Sequence, residues 1–361
     1  MKAAVLREIP GELTIEDVSI EKPGPNEVLV RTVAAGVCHS DLHYLTGSYT
    51  TPVPTVMGHE SAGVVEAVGS AVSYVAPGDH VITCLSVFCG HCEYCLSGRM
   101  ALCPHEDTMR GGDDPPRLHQ DGQVIHQYAD LSSFAEQMLV HEHALVKIIP
   151  DMPLDRASLI GCAVTTGLGA VFNTAAVEPG ATMAVIGCGG VGLNTIQGGV
   201  IAGASRIIAV DVVGSKLDLA AHFGANDLVD AAEVDPVEAV RELTGGGVHY
   251  SFDAIGLKQT ARQAFEMLRP AGTATLIGMI ALGVDIELPG VDFLAEKVVR
   301  GSCMGSNRFR IDMPRIVDFY LSGRLNLDDL VSARLPLEEV NQAMAAVARG
   351  DTARNVIMFD S

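Results

Sequence analysis

The sequence predicts an α/β protein in two parts, a mostly-β first half and a second half built as a doubly wound parallel sheet. Three observations point there. From about residue 165, apolar runs such as Met183-Ala184-Val185-Ile186, Ile207-Ile208-Ala209-Val210 and Thr273-Ala274-Thr275-Leu276-Ile277 alternate with helical stretches near 190–203, 215–223, 235–244 and 258–268. That texture belongs to βαβ units around a buried parallel sheet. One of these strands, 182–186, runs into the glycine-rich turn Gly187-Cys188-Gly189-Gly190-Val191-Gly192 and on into a helix. Residues 1–80 show neither feature and read as short strands and turns.

Within the first half, Glu27-Val28-Leu29-Val30-Arg31-Thr32-Val33 alternates with the period of a half-buried strand. Pro23-Gly24-Pro25-Asn26 before it is a turn signal, and Gly63-Val64-Val65-Glu66-Ala67-Val68 is a second strand. Residues 84–130 are rich in Cys, Gly, His and Asp with little periodicity, which predicts one or two long surface loops held by something other than a core. The strand–helix alternation ends near 303. Residues 312–322 and 336–349 then read as helices, and Asn355-Val356-Ile357-Met358-Phe359 as a last strand.

Composition narrows the function classes. The 361 residues are 48% hydrophobic and 19% charged, which is globular rather than disordered. A formal net charge of −20 without a basic cluster argues against nucleic acid as a partner. Aromatics make up 5% and Trp is absent, which argues against stacking platforms for bases. No run of 18 apolar residues is present, so no membrane span is expected. Met1–Glu8 lacks the apolar stretch of a signal peptide, so a cytoplasmic protein is expected. Of nine cysteines, four fall between positions 89 and 103, a density that favours metal over disulfides.

The glycine turn is the first site. Gly187 permits a tight bend, Gly189 lets the backbone approach a pyrophosphate, and Gly192 lets helix and strand pack closely. Gly190 and Val191 open a helix whose free N–H groups and partial positive charge suit phosphate. Asp211 ends the next strand, 19 residues past Gly192, where an acid accepts hydrogen bonds from ribose hydroxyls and repels a 2′-phosphate. NAD is therefore favoured over NADP. The plainer alternative is a glycine-rich turn in an ordinary α/β domain, and the strand, helix and acid together weigh against it.

Cys89, Cys92, Cys95 and Cys103 form the second site, C-x2-C-x2-C-x7-C. Four thiolates so spaced close a tetrahedron around Zn²⁺ with no open position, which makes the role structural. An iron–sulfur cluster is the rival, because C-x2-C-x2-C also occurs in ferredoxin-type runs.

A third group is scattered: Cys38-His39-Ser40-Asp41-Leu42-His43, then Gly58-His59-Glu60, then Gly161-Cys162. Taken singly, each is as well read as a buried cysteine or a satisfied histidine. In this order, with the four-cysteine segment, the G-C-x-x-x-T-G segment, the glycine turn and the acid after the next strand, they resemble zinc-containing alcohol dehydrogenases of the medium-chain dehydrogenase/reductase family. The resemblance covers nearly the whole chain. It implies a GroES-like, mostly-β catalytic domain over 1–163 and 304–361, carrying the structural zinc lobe (89–103), and a Rossmann NAD-binding domain over 164–303.

It also implies residue roles. Cys38, His59 and Cys162 ligate a catalytic zinc, so that each chain holds two zinc ions. Glu60 stands behind the metal. Asp41 orients His59, Ser40 hydrogen-bonds the substrate oxygen, and His43 ends a proton relay. His39 and Arg354 contact the coenzyme pyrophosphate, Lys216 the adenosine ribose, and Thr166, Val191 and Ile277 complete the coenzyme contacts. Tyr49, Leu85, Thr108, Phe134 and Cys303 line the substrate pocket. The chemistry is coherent: zinc lowers the pKa of an alcohol hydroxyl, and the alkoxide passes hydride to nicotinamide. The function expected is reversible oxidation of a primary aliphatic or aromatic alcohol. The rivals are glutathione-dependent formaldehyde oxidation, polyol oxidation and a non-catalytic nucleotide-binding relative.

The long stretch from Cys103 to Phe134 resembles the dimeric, animal and glutathione-linked branch, which implies a homodimer. Cys84 and Cys188 read as packing residues, as does Cys303 by default. His105, His119, His126, His141 and His143 read as surface or loop residues, and Asp113-Asp114-Pro115-Pro116 as a solvated loop.

Overall fold

A computed structural model of the chain describes residues 1–104, 106–111 and 114–360, so the expectations for His105 and Asp113 lie outside the described residues. The chain forms two compact units, Met1–Ala163 with Arg308–Ser361, and Val164–Asn307.

In the first unit, strand Glu27–Val37 is the spine of a seven-stranded sheet. It pairs antiparallel with Glu60–Val68 and with the last strand, Arg354–Met358. The register sets Gly36 opposite Glu60 on one side and opposite Val356 on the other, with Val37 opposite Asn355. Three distant chain segments therefore end side by side, and the Cys38–His43 run leaves the sheet at that end.

A second, six-stranded sheet runs in the order Leu13–Asp17, Lys2–Leu6, Thr55–Val56, Gln123–Gln127, Leu118–Gln120, Ser19–Ile20. Two of its strands correct the reading of 84–130 as loop alone. Leu118–Gln120 and Gln123–Gln127 form a hairpin over Asp121 (φ 49°) and Gly122 (φ 80°). An Asp-Gly pair with both φ positive matches the twist of a two-residue hairpin. Leu118 and Ile125 from this hairpin pack in a core with Ala3, Val5, Val18 and Val56. The segment from 118 onward is thus held by hydrophobic burial.

The second unit carries a wholly parallel sheet in the order Asp227–Asp230, Arg206–Asp211, Thr182–Ile186, Val248–Asp253, Leu268–Leu276, Val298–Gly301. The strand order switches direction at Thr182–Ile186, the strand that feeds the glycine turn, and ligands of such sheets bind at that crevice. Helices Gly190–Ala202, Gly214–His222, Pro236–Thr244 and Lys258–Glu266 fall where the periodicity places them. Helix Pro236–Thr244 shows the local logic: the Asp235 carboxylate accepts from the N–H groups of Val237 and Glu238 at its start, and Gly245 (φ 66°) ends it.

Helical segment Leu154–Ala175 is, among the described residues, the one helix long and apolar enough to cross a membrane, and 89% of its apolar window is buried inside the protein. It contains π-helical turns at Ile160–Val164 and Ala170–Ala175. Cys162 lies in the first of these, and π-turns commonly accompany functional sites.

Candidate active site

Cys38 caps helix His39–Leu45 in extended conformation, and the Asp41 carboxylate accepts its N–H at 3.2 Å. Gly58 (φ 91°) precedes His59; a Cβ there would stand 2.6 Å from the Phe134 nitrogen, so only glycine lets the two chains meet. With Cys162 on its π-turn, the candidate ligand atoms of Cys38, His59, Glu60 and Cys162 come within 4.8 Å of one another, all buried. Asp41 Oδ1 lies 3.0 Å from His59 Nδ1. The other ring nitrogen, Nε2, is buried and has no hydrogen-bond partner, and neither has Glu60 Oε1. Buried polar atoms are rarely left so unless something else engages them. Two thiols and an imidazole nitrogen, with the ring's second nitrogen fixed by a carboxylate, are the donor set of a zinc site.

The electrostatics are those of a crowded buried centre. Hydrogen bonding with Cys162 and, after opposing desolvation, the Arg354 charge hold the Cys38 thiol well below its ordinary range. Hydrogen bonding with Cys38 and burial raise Cys162. Burial opposes charge on His59, but the Asp41 carboxylate overrides it and raises the imidazole. Desolvation pushes Glu60 up to about 7 despite Arg354 beside it. Ser40 Oγ lies 3.6 Å from Cys38 Sγ, and the ring of half-buried His43 lies 5.1 Å from that of His39 and 5.8 Å from that of Tyr49. Burial, and then the neighbouring His39, lower His43, which keeps it neutral near pH 7.

Arg354 lies against the buried cluster. It is 5% exposed, with Nη2 3.7 Å from Cys38 Sγ and Nε 3.6 Å from Glu60 Oε1.

The residues expected to line the substrate pocket stand in different surroundings. Phe134 is 0% exposed and packs in a core with Met57, Tyr128 and Ile357, so it lines no open pocket. Tyr128, six positions earlier, is the aromatic beside the buried cluster: its ring meets His59 edge-on at 5.6 Å and Tyr44 at 4.8 Å. No pattern in the sequence separates these two buried aromatics; only the turn between them does. The Thr108 carbonyl accepts from Arg117, which also donates to Glu27. Glu27 begins the spine strand that Cys38 follows, roughly 30 Å along an extended chain. Leu85 packs on the core of Val28, Val81 and Leu145. Tyr49 stays beside His43. Cys303 belongs to the second unit, before a turn in which Met304, Gly305 and Ser306 all have positive φ.

The four lobe cysteines also gather within 4.8 Å, with Cys89 and Cys95 sulfurs 3.9 Å apart and those of Cys92 and Cys103 3.7 Å apart. Backbone N–H groups of Cys89, Cys92 and Cys95 point at sulfurs of Cys103, Cys89 and Cys92 at 3.3–3.5 Å. Backbone donation, first from His91, brings the Cys89 thiol down to about 6. Desolvation pushes the neighbouring Cys95 thiol the other way, up to about 12.

In the second unit, Gly187 (φ 92°) is fixed by its backbone and by Ile255, 2.5 Å from a hypothetical Cβ. A Cβ on Gly192 would lie 1.7 Å from the Gly187 oxygen, whereas one on Gly189, at the N-cap of helix Gly190–Ala202, would meet nothing. That open face beside free N–H groups is the cradle a pyrophosphate needs. Asp211 reaches across to the same turn, accepting from Cys188 N at 2.7 Å and from Val212 and Val213 N at 2.8 and 3.1 Å. Lys216 opens the following helix, Thr166 Oγ1 bonds the Met304 sulfur at 3.4 Å, and Ile277 N bonds the Asp253 carbonyl.

Comparison with known proteins fits this geometry. Residues 24–151 match the family described as alcohol dehydrogenase GroES-like domain, and residues 190–321 match zinc-binding dehydrogenase. The chain is 38% identical over 99% of its length to an alcohol dehydrogenase class-3 of Oryza sativa subsp. japonica, covering 97% of that protein. It is 37% identical, again over 99%, to an S-(hydroxymethyl)glutathione dehydrogenase of Saccharomyces cerevisiae, covering 96% of it. Among solved structures, benzyl alcohol dehydrogenase from Acinetobacter calcoaceticus superposes with a TM-score of 0.94 at 32% identity over 99% of each chain.

Proposed function

The chain belongs to the zinc-containing alcohol dehydrogenases of the medium-chain dehydrogenase/reductase family, and from that premise we propose that it transfers hydride reversibly between a primary aliphatic or aromatic alcohol and NAD⁺. The observation that carries this reading is the buried meeting of Cys38, His59 and Cys162 around an unpartnered His59 Nε2. These three residues hold a catalytic zinc, and the four lobe cysteines hold a second, structural one. When bound, the catalytic zinc supplies a Lewis acid for the alcohol oxygen and the coenzyme supplies the hydride acceptor.

The side chains do the rest. Asp41 fixes the His59 tautomer and ring plane. Ser40, beside Cys38, hydrogen-bonds the substrate oxygen and gives up its own hydroxyl proton as it takes the alcohol's. His43, kept neutral by burial, accepts that proton on a ring nitrogen and releases it to solvent. The Val164–Asn307 unit serves as the coenzyme domain, and its Gly187–Gly192 turn cradles the pyrophosphate. Asp211 reads the ribose and disfavours NADP, Lys216 adds an adenosine contact, and Thr166, Val191 and Ile277 border the nicotinamide.

Tyr44, in ring contact with both Tyr49 beside His43 and Tyr128 beside His59, supports an apolar, ring-sized substrate. Glutathione-linked formaldehyde oxidation is the second reading, favoured by the names of two relatives. Against it, Tyr49 and Asp107 stand where the branch's Asp and Arg anchors are expected, and Asp107 pairs with His91 at 2.9 Å. A second copy of the chain pairs through the edge strand Val298–Gly301, where exposed Val291, Phe293 and Leu294 lie close in sequence.

Reduction of NAD⁺ and NADP⁺ followed at 340 nm, with zinc-loaded protein and a panel of linear, benzylic and polyol substrates plus formaldehyde with glutathione, tests the reading. NAD⁺-dependent turnover of apolar primary alcohols is expected. Turnover that needs glutathione transfers the assignment to the second reading, and silence with both zincs bound overturns both.

A further inference from the structure

The four-cysteine lobe carries a second set of donors at its rim. Ligand atoms of Cys89, His91 and Asp107 lie within 4.8 Å of one another, and His91 Nε2 is 2.9 Å from Asp107 Oδ2. Among the described residues, Cys89 is the donor that this set shares with the four sulfurs of Cys89, Cys92, Cys95 and Cys103. Backbone geometry sets up the overlap. Gly90 takes a φ of 90°, and this left-handed turn lets His91 share a side with Cys89. A Cβ on Gly90 would meet nothing within 4 Å, so the approach from solvent is open. Asp107 comes from beyond the last lobe cysteine, on the 3₁₀ turn Glu106–Thr108. Met109 N closes that turn on the Glu106 carbonyl at 3.2 Å, and Arg117 anchors it by donating to the Thr108 carbonyl at 3.0 Å.

An ion pair alone gives this arrangement little purpose. The His91 and Asp107 side chains are 69% and 67% exposed, and pairs so exposed contribute about 1 kcal/mol at most. Imidazole, carboxylate and thiolate are, however, the three side-chain donors of zinc sites. The two sets differ in strength. The rim mixes oxygen, nitrogen and sulfur and leaves room for water, whereas the lobe offers four soft sulfurs, which hold zinc and cadmium more firmly. An ion caught at the rim therefore has a downhill route inward with Cys89 bound throughout.

We propose that Cys89, His91 and Asp107 form a labile divalent-metal site at the rim of the lobe, through which the structural zinc enters and exchanges. The inference rests on the structural-zinc reading of the lobe. In the transfer the sulfurs of Cys92, Cys95 and Cys103 displace imidazole, carboxylate and water from the ion. Any thiol that binds passes its proton to solvent, and no oxidation state changes.

The test adds cadmium to the full-length chain with its two zincs in place and follows cadmium NMR, which separates a four-sulfur site from sites of mixed donors. Wild type is compared with His91→Gln, Asp107→Asn, Asp107→Glu and Glu93→Gln. In wild type a mixed-donor signal is expected at excess cadmium, and the four-sulfur signal should grow at a rate that rises with cadmium and then levels off. His91→Gln and Asp107→Asn are expected to remove the rim signal and slow this growth by about 10- to 100-fold, with exchange at the buried Cys38–His59–Cys162 cluster unchanged. Asp107→Glu should recover most of the rate. Glu93→Gln, which removes another exposed carboxylate of the lobe, should leave it as in wild type, separating ligation from a general loss of negative charge. If Asp107→Asn does not fold, His91→Gln decides. A rim signal whose loss leaves lobe exchange unchanged marks an adventitious ion only and overturns the proposal, as does equal slowing in Glu93→Gln. A wild-type lobe that takes up neither zinc nor cadmium overturns instead the structural-zinc reading.

Discussion

The four lobe cysteines lie within fifteen residues of chain, three of them only half-buried, and they are gathered by turns at Gly90 and Gly98 and by backbone N–H groups aimed at sulfur. Cys38 and Cys162 are 124 positions apart, wholly buried, and brought together by a sheet register and a π-turn. The lobe is local, only partly buried and offers four sulfurs. The buried cluster is assembled by tertiary structure, mixes sulfur with nitrogen, and carries carboxylates and a guanidinium around Cys38, His59 and Cys162. A metal that holds a loop needs nearby ligands and no vacancy. A metal that does chemistry needs a vacancy, a controlled charge and a dry setting, which only a folded core supplies.

Changes at the two places should therefore fail in different ways. The largest effect is expected for Cys162→Ala, which should lower alcohol turnover by on the order of 10³-fold or more, because a Lewis acid worth several kcal/mol is lost. Its melting temperature should stay near wild type, since the sheets frame the site without the metal; comparable loss of fold in calorimetry would contradict the division drawn here. Cys89→Ser should do the reverse and cost several kcal/mol of stability, or aggregate, with the buried zinc still bound. A normal melting temperature with full zinc content would remove the lobe's structural role.

Glu27 separates the lobe's support from the buried site by pH. Its carboxylate, bound by Arg110, Arg117 and the Gly24 N–H, ties the chain after the lobe to the spine strand. Although burial alone would raise it, these donors bring it down from 4.5 to about 2. At ~1.4 kcal/mol per pH unit this contributes roughly 3 kcal/mol. Because the folded value is the lower one, that stability is complete above about pH 4.5 and is lost as pH falls towards 2. Glu27→Gln should flatten this part of the denaturation-against-pH curve, and an unchanged curve would assign the acid sensitivity elsewhere.

His43→Ala should cut turnover by roughly 10²-fold while both zincs remain, the loss expected of a proton carrier. Zinc missing from the mutant would make His43 a ligand instead. The smallest effect is expected for Asp211→Ala, about tenfold weaker NAD⁺ binding with relaxed discrimination against NADP⁺. An unaltered coenzyme preference would place ribose recognition on another residue.

The periods of the second half marked its helices to within two or three residues, because each βαβ unit closes locally and its hydrophobic pattern follows its own geometry. Short strands such as Asp227–Asp230 and Val298–Gly301 carried too little pattern to stand out. The hairpin over Asp121-Gly122 was announced by its dipeptide but lay in a segment whose cysteines and histidines drew it towards a metal loop.

Sequence alone determined the strand–turn–helix of the glycine site and the lobe with its four cysteines, because spacing and residue chemistry are local properties, whereas the scattered residues of the buried cluster were linked only by the family resemblance. Tertiary structure alone decided which buried aromatic faces His59, Tyr128 rather than Phe134, and that Arg354 turns its charge on Cys38 and Glu60. Those outcomes depend on a register between strands hundreds of residues apart, and a shift of one position reverses the face to which every side chain points.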